Sequence, residues 1–541
     1  MVMGITIFCC GESMKKSVRI FATIFVMIGI MTSFSTFPSF AVENSSTKVV
    51  FFLLDGCRVS NFERLIADGK LPTLARLKKE GLSVDCALSV FPTTTWAAYT
   101  PFVNGLYTCN SGICGLRWYY KKDGTVRDYC FTDYDKFKVD LNPDYPTIYE
   151  LLPKDESLSV LGLIDRGSGH SIVPPMALVG KQASYYLEMD RAVFNAYRDA
   201  TAQRLPRYSF VSFHAPDNIG HVTSVMGSEY AQSIVQFDGF LKILMEDWKQ
   251  SGELSNVLFI FSADHGMAPT CDPATKKKIE IDDLLSREMG LKVETPPLAF
   301  PAVPFNSYKD RAAEEADVVI CPNGNACLYL YLKGCLPDRK KGSFTVRPTF
   351  DQIRAYRRTS DNEISGDLIN TLLKDPCVGL VMARDGAAKY RVFSTRGEGL
   401  IVRDGNLLGY SVVSGKDPLR MEAEGSRFAT GKPISDREWL RHTCNEQFYP
   451  DAVFQIAQCL DAENSGDIVI NAAVGYDPSR QNQRGSHGGL DRTQITVPLI
   501  CWGKGVKPTQ VPCARTVDVF TTVLKALGLR TPKGVPGIPL F

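Results

Sequence analysis

The chain has six histidines, His170, His214, His221, His265, His442 and His487, and three of them stand beside groups that metal chemistry would use. Asp217 and His221 lie four residues apart in P-D-N-I-G-H. A carboxylate and an imidazole at that spacing face one point if a helical turn follows the preceding strand. Asp264 and His265 are adjacent in F-S-A-D-H-G-M. Neighbouring side chains leave the backbone in different directions, so this pair either serves two roles or holds an ion from a sharp turn. His487 sits in R-G-S-H-G-G-L-D, where the glycines permit unusual backbone angles and close ligand approach. Mixed Asp and His ligation without cysteine suits two divalent metal ions, zinc foremost. Taken singly, each is more often a surface pair, a helix feature or a turn residue. What they share is where they fall.

Several short, continuously apolar runs end in an acidic residue: Val49 to Leu54 before Asp55, Ser157 to Ile164 before Asp165, Phe210 to Phe213 before Asp217, and Val257 to Phe261 before Asp264. Runs of that length without alternation suggest strands buried on both faces. After Ser228, Ile234, Phe237, Leu241 and Leu244 recur at helical spacing. Alternating strands and helices imply an α/β fold, a layered α/β/α arrangement with a mainly parallel central sheet. In such sheets ligands bind beyond the carboxyl ends of the strands, which is where these acids lie. Past Met267 the texture changes, with a charged stretch at Lys276 to Lys278, a Pro-rich segment from Pro296 to Pro304 and a polar turn at Asp404 to Asn406. Core-like runs return at Asp467 to Ile470 and Ile495 to Cys501. The expected organisation is a leader over 1–41, a first part of the catalytic core over 42–270, an insertion or cap over 271–464, and the core's C-terminal part over 465–541.

At 541 residues, 44% hydrophobic and 22% charged, the composition excludes a disordered tail, a collagen-like rod and a multi-span membrane protein. The formal surplus of two positive charges belongs to the first 41 residues, where Lys15, Lys16 and Arg19 face Glu12. The remainder is formally neutral. It offers no global field for nucleic acid or an anionic membrane, so recognition of phosphate must come from a local site. The basic M-K-K-S-V-R, the apolar stretch after it, and Ser39 and Ala41 read as a secretory signal cut after Ala41. The mature chain would then be exported, periplasmic or secreted if bacterial, with no transmembrane helix. An uncleaved membrane anchor is the alternative reading. In an oxidising compartment Cys109/Cys114 and Cys321/Cys327/Cys335 are the closest sets for pairing, against the plainer reading of buried thiols.

Five ordered stretches carry a resemblance: V-V-F-F-L-L-D-G (49–56), F-P-T-T-T-W (91–96) continuing to V-N-G-L-Y, P-D-N-I-G-H (216–221), S-A-D-H-G-M (262–267) and G-S-H-G-G (485–489). Together the pattern resembles the alkaline phosphatase superfamily, and within it the type I phosphodiesterase/nucleotide pyrophosphatase branch. The resemblance implies one metal held by Asp55, Asp264 and His265, and a second held by Asp217, His221 and His487. It implies Thr95, rather than Thr93 or Thr94, as the nucleophile set against the first metal. It also implies a phosphothreonine intermediate, with the backbone N–H of Trp96 as an oxyanion donor. Chemistry is consistent with this, because a divalent cation favours the alkoxide of an otherwise weak hydroxyl nucleophile. Two ions about 4 Å apart also stabilise the attacking and leaving oxygens of an in-line displacement.

Two departures from the branch stand out. Where it carries an Asn that binds a phosphoryl oxygen, this chain reads G-I-C-G-L-R-W, with Leu116 at that position and Arg117 next. Arg117 reads either as a bidentate grip on phosphate or as a surface arginine. The branch's F-P-N-H after the nucleophile becomes Trp96-Ala97-Ala98-Tyr99, which leaves nucleotide specificity open. The expected function is an exported metal-dependent phosphoesterase acting on a small phosphorylated substrate: a phosphodiester, a nucleotide, or a lipid or glycan head group. The rivals are a phosphomonoesterase or a phosphoryl-head-group transferase of the same superfamily and, from another class, a metal-stabilised binding module.

Overall fold

A strand made only of Val, Phe and Leu has no polar face to offer water, so it is stable only with layers on both sides. In the computed structural model, β1 (Lys48–Leu54) is such a strand, paired in parallel with β2 (Tyr208–Phe213) on one side and β3 (Val257–Ser262) on the other. The structure describes residues 46–541 apart from 123, 130–132, 175–181, 271–280, 296–315, 335–343, 359–362, 422 and 479–482. The leader read over 1–41, the Lys276–Lys278 run and the Pro296–Pro304 segment lie outside the described residues. Alternation along β1 sends Phe51 to one face, 4.9 Å from the ring of Phe102 in α1 (Thr95–Val103). Phe52 goes to the other face, onto Phe237 and Trp248 of α3 (Ser228–Gln250). The α2 helix (Ala215–Thr223) lies between β2 and α3 in the chain. Burial of each such ring contributes about 2 kcal/mol.

The protein therefore has the layered α/β fold expected, with a largely parallel central sheet. From β3 through β1, β2 and Ser157–Val160 to the edge strand His170–Ile172, neighbours run parallel. Beyond β3, Leu499–Gly503 pairs antiparallel, followed by Leu82–Leu88. The expected helix after Ser228 forms with Ile234, Phe237, Leu241 and Leu244 all buried. The run toward Asp165 stops at Val160, and Asp165 accepts a hydrogen bond from Ser171 on the surface, away from the other strand-end acids.

Much of the segment expected to be an insertion or cap builds a second sheet. β4 (Val318–Asn323) and β5 (Cys327–Leu332) form an antiparallel hairpin, and β5 pairs with β6 (Ile468–Ala472). β6 in turn pairs with Val378–Arg384, from which the sheet continues through Lys389–Ser394, Gly397–Asp404 and Leu407–Gly415. The run from Asp467 to Ile470, expected to return to the core, thus leads into the middle of the second sheet. A strand buried on both faces has the same composition in either sheet. α4 (Ala452–Asp461) precedes β6, with Val453, Ile456, Ala457 and Leu460 buried. Cys109, Cys114, Cys321 and Cys327 carry no disulfide, and Cys335 lies outside the described residues. Among the described residues no helix is long and apolar enough to cross a membrane.

Candidate metal centre

The parallel strands deliver the acids to one edge. Asp55 directly follows β1, and Asp264 and His265 follow β3. Asp217 and His221 project from α2, just past β2, at the i, i+4 spacing of a helix face. His487 comes from a loop behind the short strand Gly485–Ser486, which pairs with Ala268–Pro269 beyond β3. Gly56 has φ +67° and allows Asp55 to approach α2. A Cβ there would lie 2.9 Å from the Cα and Cβ of Asp217.

Two groups result. Asp55, Asp264 and His265 bring one ligand atom each to within 4.8 Å of one another, and so do Asp217, His221 and His487. The groups adjoin, because the rings of His265 and His487 stack at 3.9 Å. The Asp264–His265 pair acts from a sharp turn: Asp264 Oδ1 accepts from the backbone N–H of both His265 and Gly56, leaving Oδ2 for the site.

Each imidazole is held by a backbone carbonyl. The Nδ1 of His221 lies 3.0 Å from Gly485 O, that of His265 lies 3.0 Å from Gly266 O, and that of His487 lies 2.9 Å from Thr93 O. A carbonyl only accepts, so Nδ1 carries the proton and Nε2 presents its lone pair to the site. His221 and His487 point their Nε2 atoms at each other across 3.1 Å. Two facing lone pairs repel unless a cation or proton lies between them. Asp55 Oδ1, Asp217 Oδ1 and Asp264 Oδ2 are buried and accept no hydrogen bond in the described structure. Buried carboxylate oxygens left this way are costly. The donor set therefore fits two divalent cations of the kind held by His and Asp.

The electrostatics agree. Burial, then repulsion from Asp217, pushes the Asp264 carboxyl up to about 7, and burial with the Asp264 charge raises Asp55 well above the usual carboxylate range. Burial also raises Asp217, but His221 and His487 outweigh it and draw that carboxyl below its ordinary value. Burial lowers His265 to about 4 and His487 to about 3, so both are neutral at physiological pH and ready to ligate. Burial disfavours the charged form of His221 too, yet Asp217 brings it net upward.

Thr95 begins α1, and its Oγ1 lies 3.4 Å from His265 Nε2, on the Asp55 group. It is partly exposed, whereas Thr93 and Thr94 are buried. Thr93 is structural: its hydroxyl donates to Gly489 O and accepts from Gly488 N, and its carbonyl orients His487. The Trp96 indole is buried against Tyr129 and Phe137, 4.8 and 5.7 Å between ring centroids. Its backbone N–H lies in the first turn of α1, at the positive end of the helix dipole. Arg117 is not the surface residue of the second reading. It is 2% exposed and pairs with Asp128 at 2.8 Å across the hairpin Arg117–Tyr120/Thr125–Asp128. A buried guanidinium is tolerated only with such a partner, and here that partner is eleven residues further along the chain.

Several supporting residues carry no signal in the sequence. His214 places Nδ1 2.9 Å from Asp55 Oδ2, and Ser212 Oγ lies 3.0 Å from its Nε2. Burial lowers its pKa to about 4, so a neutral imidazole donates to Asp55 and fixes that carboxylate's orientation. Replacing His214 by alanine is expected to weaken metal binding at the Asp55 group by about 10- to 100-fold while sparing the Asp217 group. Titration of the metal-free variant with zinc by calorimetry would check this, and two unchanged affinities would refute it. The second sheet supports the His487 loop: Asn325 N and Ala326 N donate to His487 O at 2.9 Å, and Leu490 N donates to Asn471 Oδ1 at 2.6 Å. Gly488, at φ +103°, makes room for this, since a Cβ would come within 2.1 Å of Asn323 O.

The sequence model of the type I phosphodiesterase / nucleotide pyrophosphatase family matches residues 49–375. The human ectonucleotide pyrophosphatase/phosphodiesterase family member 1 is 25% identical over 296 residues, 54% of this chain and 31% of that protein. The chain thus spans about a third of the length of that curated relative. Among solved structures, murine ectonucleotide pyrophosphatase / phosphodiesterase 5, as an inactive threonine-to-alanine variant in complex with AMP, superposes with a TM-score of 0.50 at 14% identity. It covers 90% of this chain and 96% of that one. Phosphonoacetate hydrolase from Sinorhizobium meliloti, in complex with phosphonoacetate, gives 0.52 at 17% identity, covering 90% and 99%. At these identities the structural likeness speaks for the fold.

Proposed function

Because the chain belongs to the type I phosphodiesterase / nucleotide pyrophosphatase family, we propose that it is an exported, two-metal phosphoesterase that cleaves a phosphodiester or pyrophosphate bond through a phosphothreonine at Thr95. The observation that carries this reading is the Thr95 hydroxyl, 3.4 Å from His265 Nε2 beside two adjoining Asp/His groups whose inner carboxylate oxygens lack partners. Divalent cations held by Asp55, Asp264 and His265, and by Asp217, His221 and His487, would supply positive charge to the hydroxyl and to the phosphoryl oxygens. Thr95 Oγ1 attacks phosphorus as the bond to the leaving oxygen breaks, and water then cleaves the Oγ1–P bond and restores the hydroxyl. The N–H of Trp96, in the first turn of α1 where a helix favours negative charge, would donate to a phosphoryl oxygen.

The second sheet is proposed as the cap that selects the substrate, since its β4–β5 turn sits directly on the His487 loop. Nucleotide specificity does not follow from the family, because Leu116 stands where the branch uses asparagine and its N–H is taken by Asn323. The substrate is proposed to be a small molecule with a phosphodiester or pyrophosphate bond, in a nucleotide or in a lipid or glycan head group. Parallel turnover of bis(p-nitrophenyl) phosphate and p-nitrophenyl phosphate tests the reading, with the diester expected to be faster. A faster monoester would indicate a phosphomonoesterase, and activity only with an added acceptor would indicate a transferase. Two bound metals with no turnover of either ester would favour a binding module.

A further inference from the structure

The segment that carries Thr95 is gripped by side chains of a helix far away in the chain. Phe91 N donates to Gln455 Oε1 at 3.0 Å, and Gln458 Nε2 donates to Phe91 O at 2.6 Å. Gln455 Nε2 also donates to Ser89 O at 3.3 Å. Both glutamines lie on α4 at i, i+3, on one helix face, and they are 0% and 1% exposed. Two side-chain amides thus stand where the peptides of a neighbouring strand would stand, pairing both the N–H and the C=O of Phe91. Burying two amides in a helix interior is costly unless their hydrogen bonds are met, and here the remaining atoms are engaged as well. Gln455 Nε2 reaches Asp451 Oδ2 at 2.9 Å, Asp451 is held by a two-point pair with Arg515, and Gln458 Oε1 accepts from Thr108. The far end of α4 is tied to the second sheet through Asp461, which accepts from Tyr390 and Arg403. Downstream, Thr93 N is held by Gly488 O. The chain from Ser89 to Thr93 is therefore clamped from two directions before it turns into α1.

We propose that Gln455 and Gln458 are positioning residues for Thr95: by fixing both polar groups of the Phe91 peptide they set the approach of the Thr95 hydroxyl to the metal groups. This rests on the reading of Thr95 as the nucleophile. Neither glutamine touches the metal ligands, so their loss leaves the ligand sets intact. The effect falls on alignment of the attacking oxygen, a term in which a displacement of about 1 Å costs on the order of a hundredfold in rate.

The test uses the full chain, loaded with zinc, as Gln455→Met, Gln458→Met and the double variant. Methionine keeps the volume and removes the hydrogen bonds. With bis(p-nitrophenyl) phosphate, kcat is expected to fall by about 10- to 100-fold, while KM and bound zinc stay at wild-type values. Gln455→Glu retains the acceptor for Phe91 N and is expected to recover part of the rate that Gln455→Met loses. Tyr390→Phe, which loosens α4 from the second sheet without touching the segment, is expected to lower the melting temperature and leave kcat unchanged. Hydrogen exchange of residues 89–97 is expected to quicken in the methionine variants, a readout that needs no turnover. Unchanged kcat with unchanged exchange would overturn the proposal. So would losses of kcat and zinc that track the unfolded fraction, or a Tyr390→Phe rate as low as that of Gln455→Met. If the wild type turns over neither ester, the function fails and the exchange measurement alone decides the positioning role.

Discussion

Thr95→Ala is expected to lower kcat for the diester by at least about a thousandfold, with the fold and the bound metal intact. The size follows from the absence of a substitute: Thr93 and Thr94 are buried, and the Thr93 hydroxyl is spent on the glycines of the His487 loop. Thr95 is partly exposed at the end of a helix, so deleting its hydroxyl and methyl opens no core cavity, and the melting temperature should move little. Thr95→Ser keeps the nucleophilic oxygen and should retain a measurable fraction of the rate. Thr93→Ala separates the two roles. It removes the anchor of Gly488 and Gly489 and should release metal from the Asp217 group and destabilise the protein. A Thr95→Ala variant with wild-type kcat on both esters would remove Thr95 from the reaction, and one that lost its metal would make Thr95 a structural residue.

The second large effect concerns the metal groups. His487→Ala should reduce the metal content from two ions to one and cost about a thousandfold in turnover, because one of the two charges facing the phosphoryl group is lost. The same groups make metal binding depend on pH in a defined direction. In the metal-free folded protein the Asp264 carboxyl is held up to about 7 and Asp55 is raised as well, whereas in the unfolded chain both return to about 4. Between those values the two carboxyls hold protons in the folded state that the unfolded chain has lost, so their contribution to metal-free stability falls as pH rises from about 4 to about 7, while His265 and His487, whose pKa values are lowered, contribute in the opposite sense. A cation reverses this by binding the ionised carboxylates. His221, whose pKa is raised, must also lose its proton to ligate, which acts in the same sense. The rise in melting temperature on adding zinc to chelator-treated protein should therefore be larger at pH 8 than at pH 5. Equal shifts at the two pH values would contradict the assignment of these carboxyls as ligands.

The strands that carry the acids are legible in the sequence because a strand buried on both faces is continuously apolar and its end is marked by the first acid. Asp55, Asp217 and Asp264 were recognisable on that ground, and the i, i+4 spacing of Asp217 and His221 anticipated the α2 face. His487 was legible through its glycines. The residues that make the site rigid were not. His214 meets Asp55 only because β1 and β2 pair with Leu54 beside Phe213, a register that no local pattern encodes. The burial of Arg117 is illegible for the same reason, since its partner Asp128 lies across a hairpin. The role of Thr93 appears only when a loop nearly four hundred residues downstream is laid against it. The second sheet is hidden because its outer strands, such as Gly397–Asp404, mix buried and exposed positions, while its apolar runs in β4, β5 and β6 are indistinguishable in composition from strands of the central sheet.

The hold of the second sheet on the His487 loop also orders events during synthesis. Asp55, Asp264 and His265 are all on the chain once residue 265 has been made, and the strands that place them, β1 and β3, are direct neighbours. His221 must wait for a partner 266 residues downstream, and that partner's carbonyl is seated by a hairpin turn at Asn325 and Ala326. Contacts so distant in sequence form late, because the intervening chain has to be ordered first. The two metal groups are thus unequal in history although alike in composition: one is complete with the first half of the chain, and the other closes only when the C-terminal part has docked. The residues of the first group and the Thr95 segment are thus synthesised before α4 and the His487 loop, so the proposed reaction centre has all its residues only once the C-terminal part has been made.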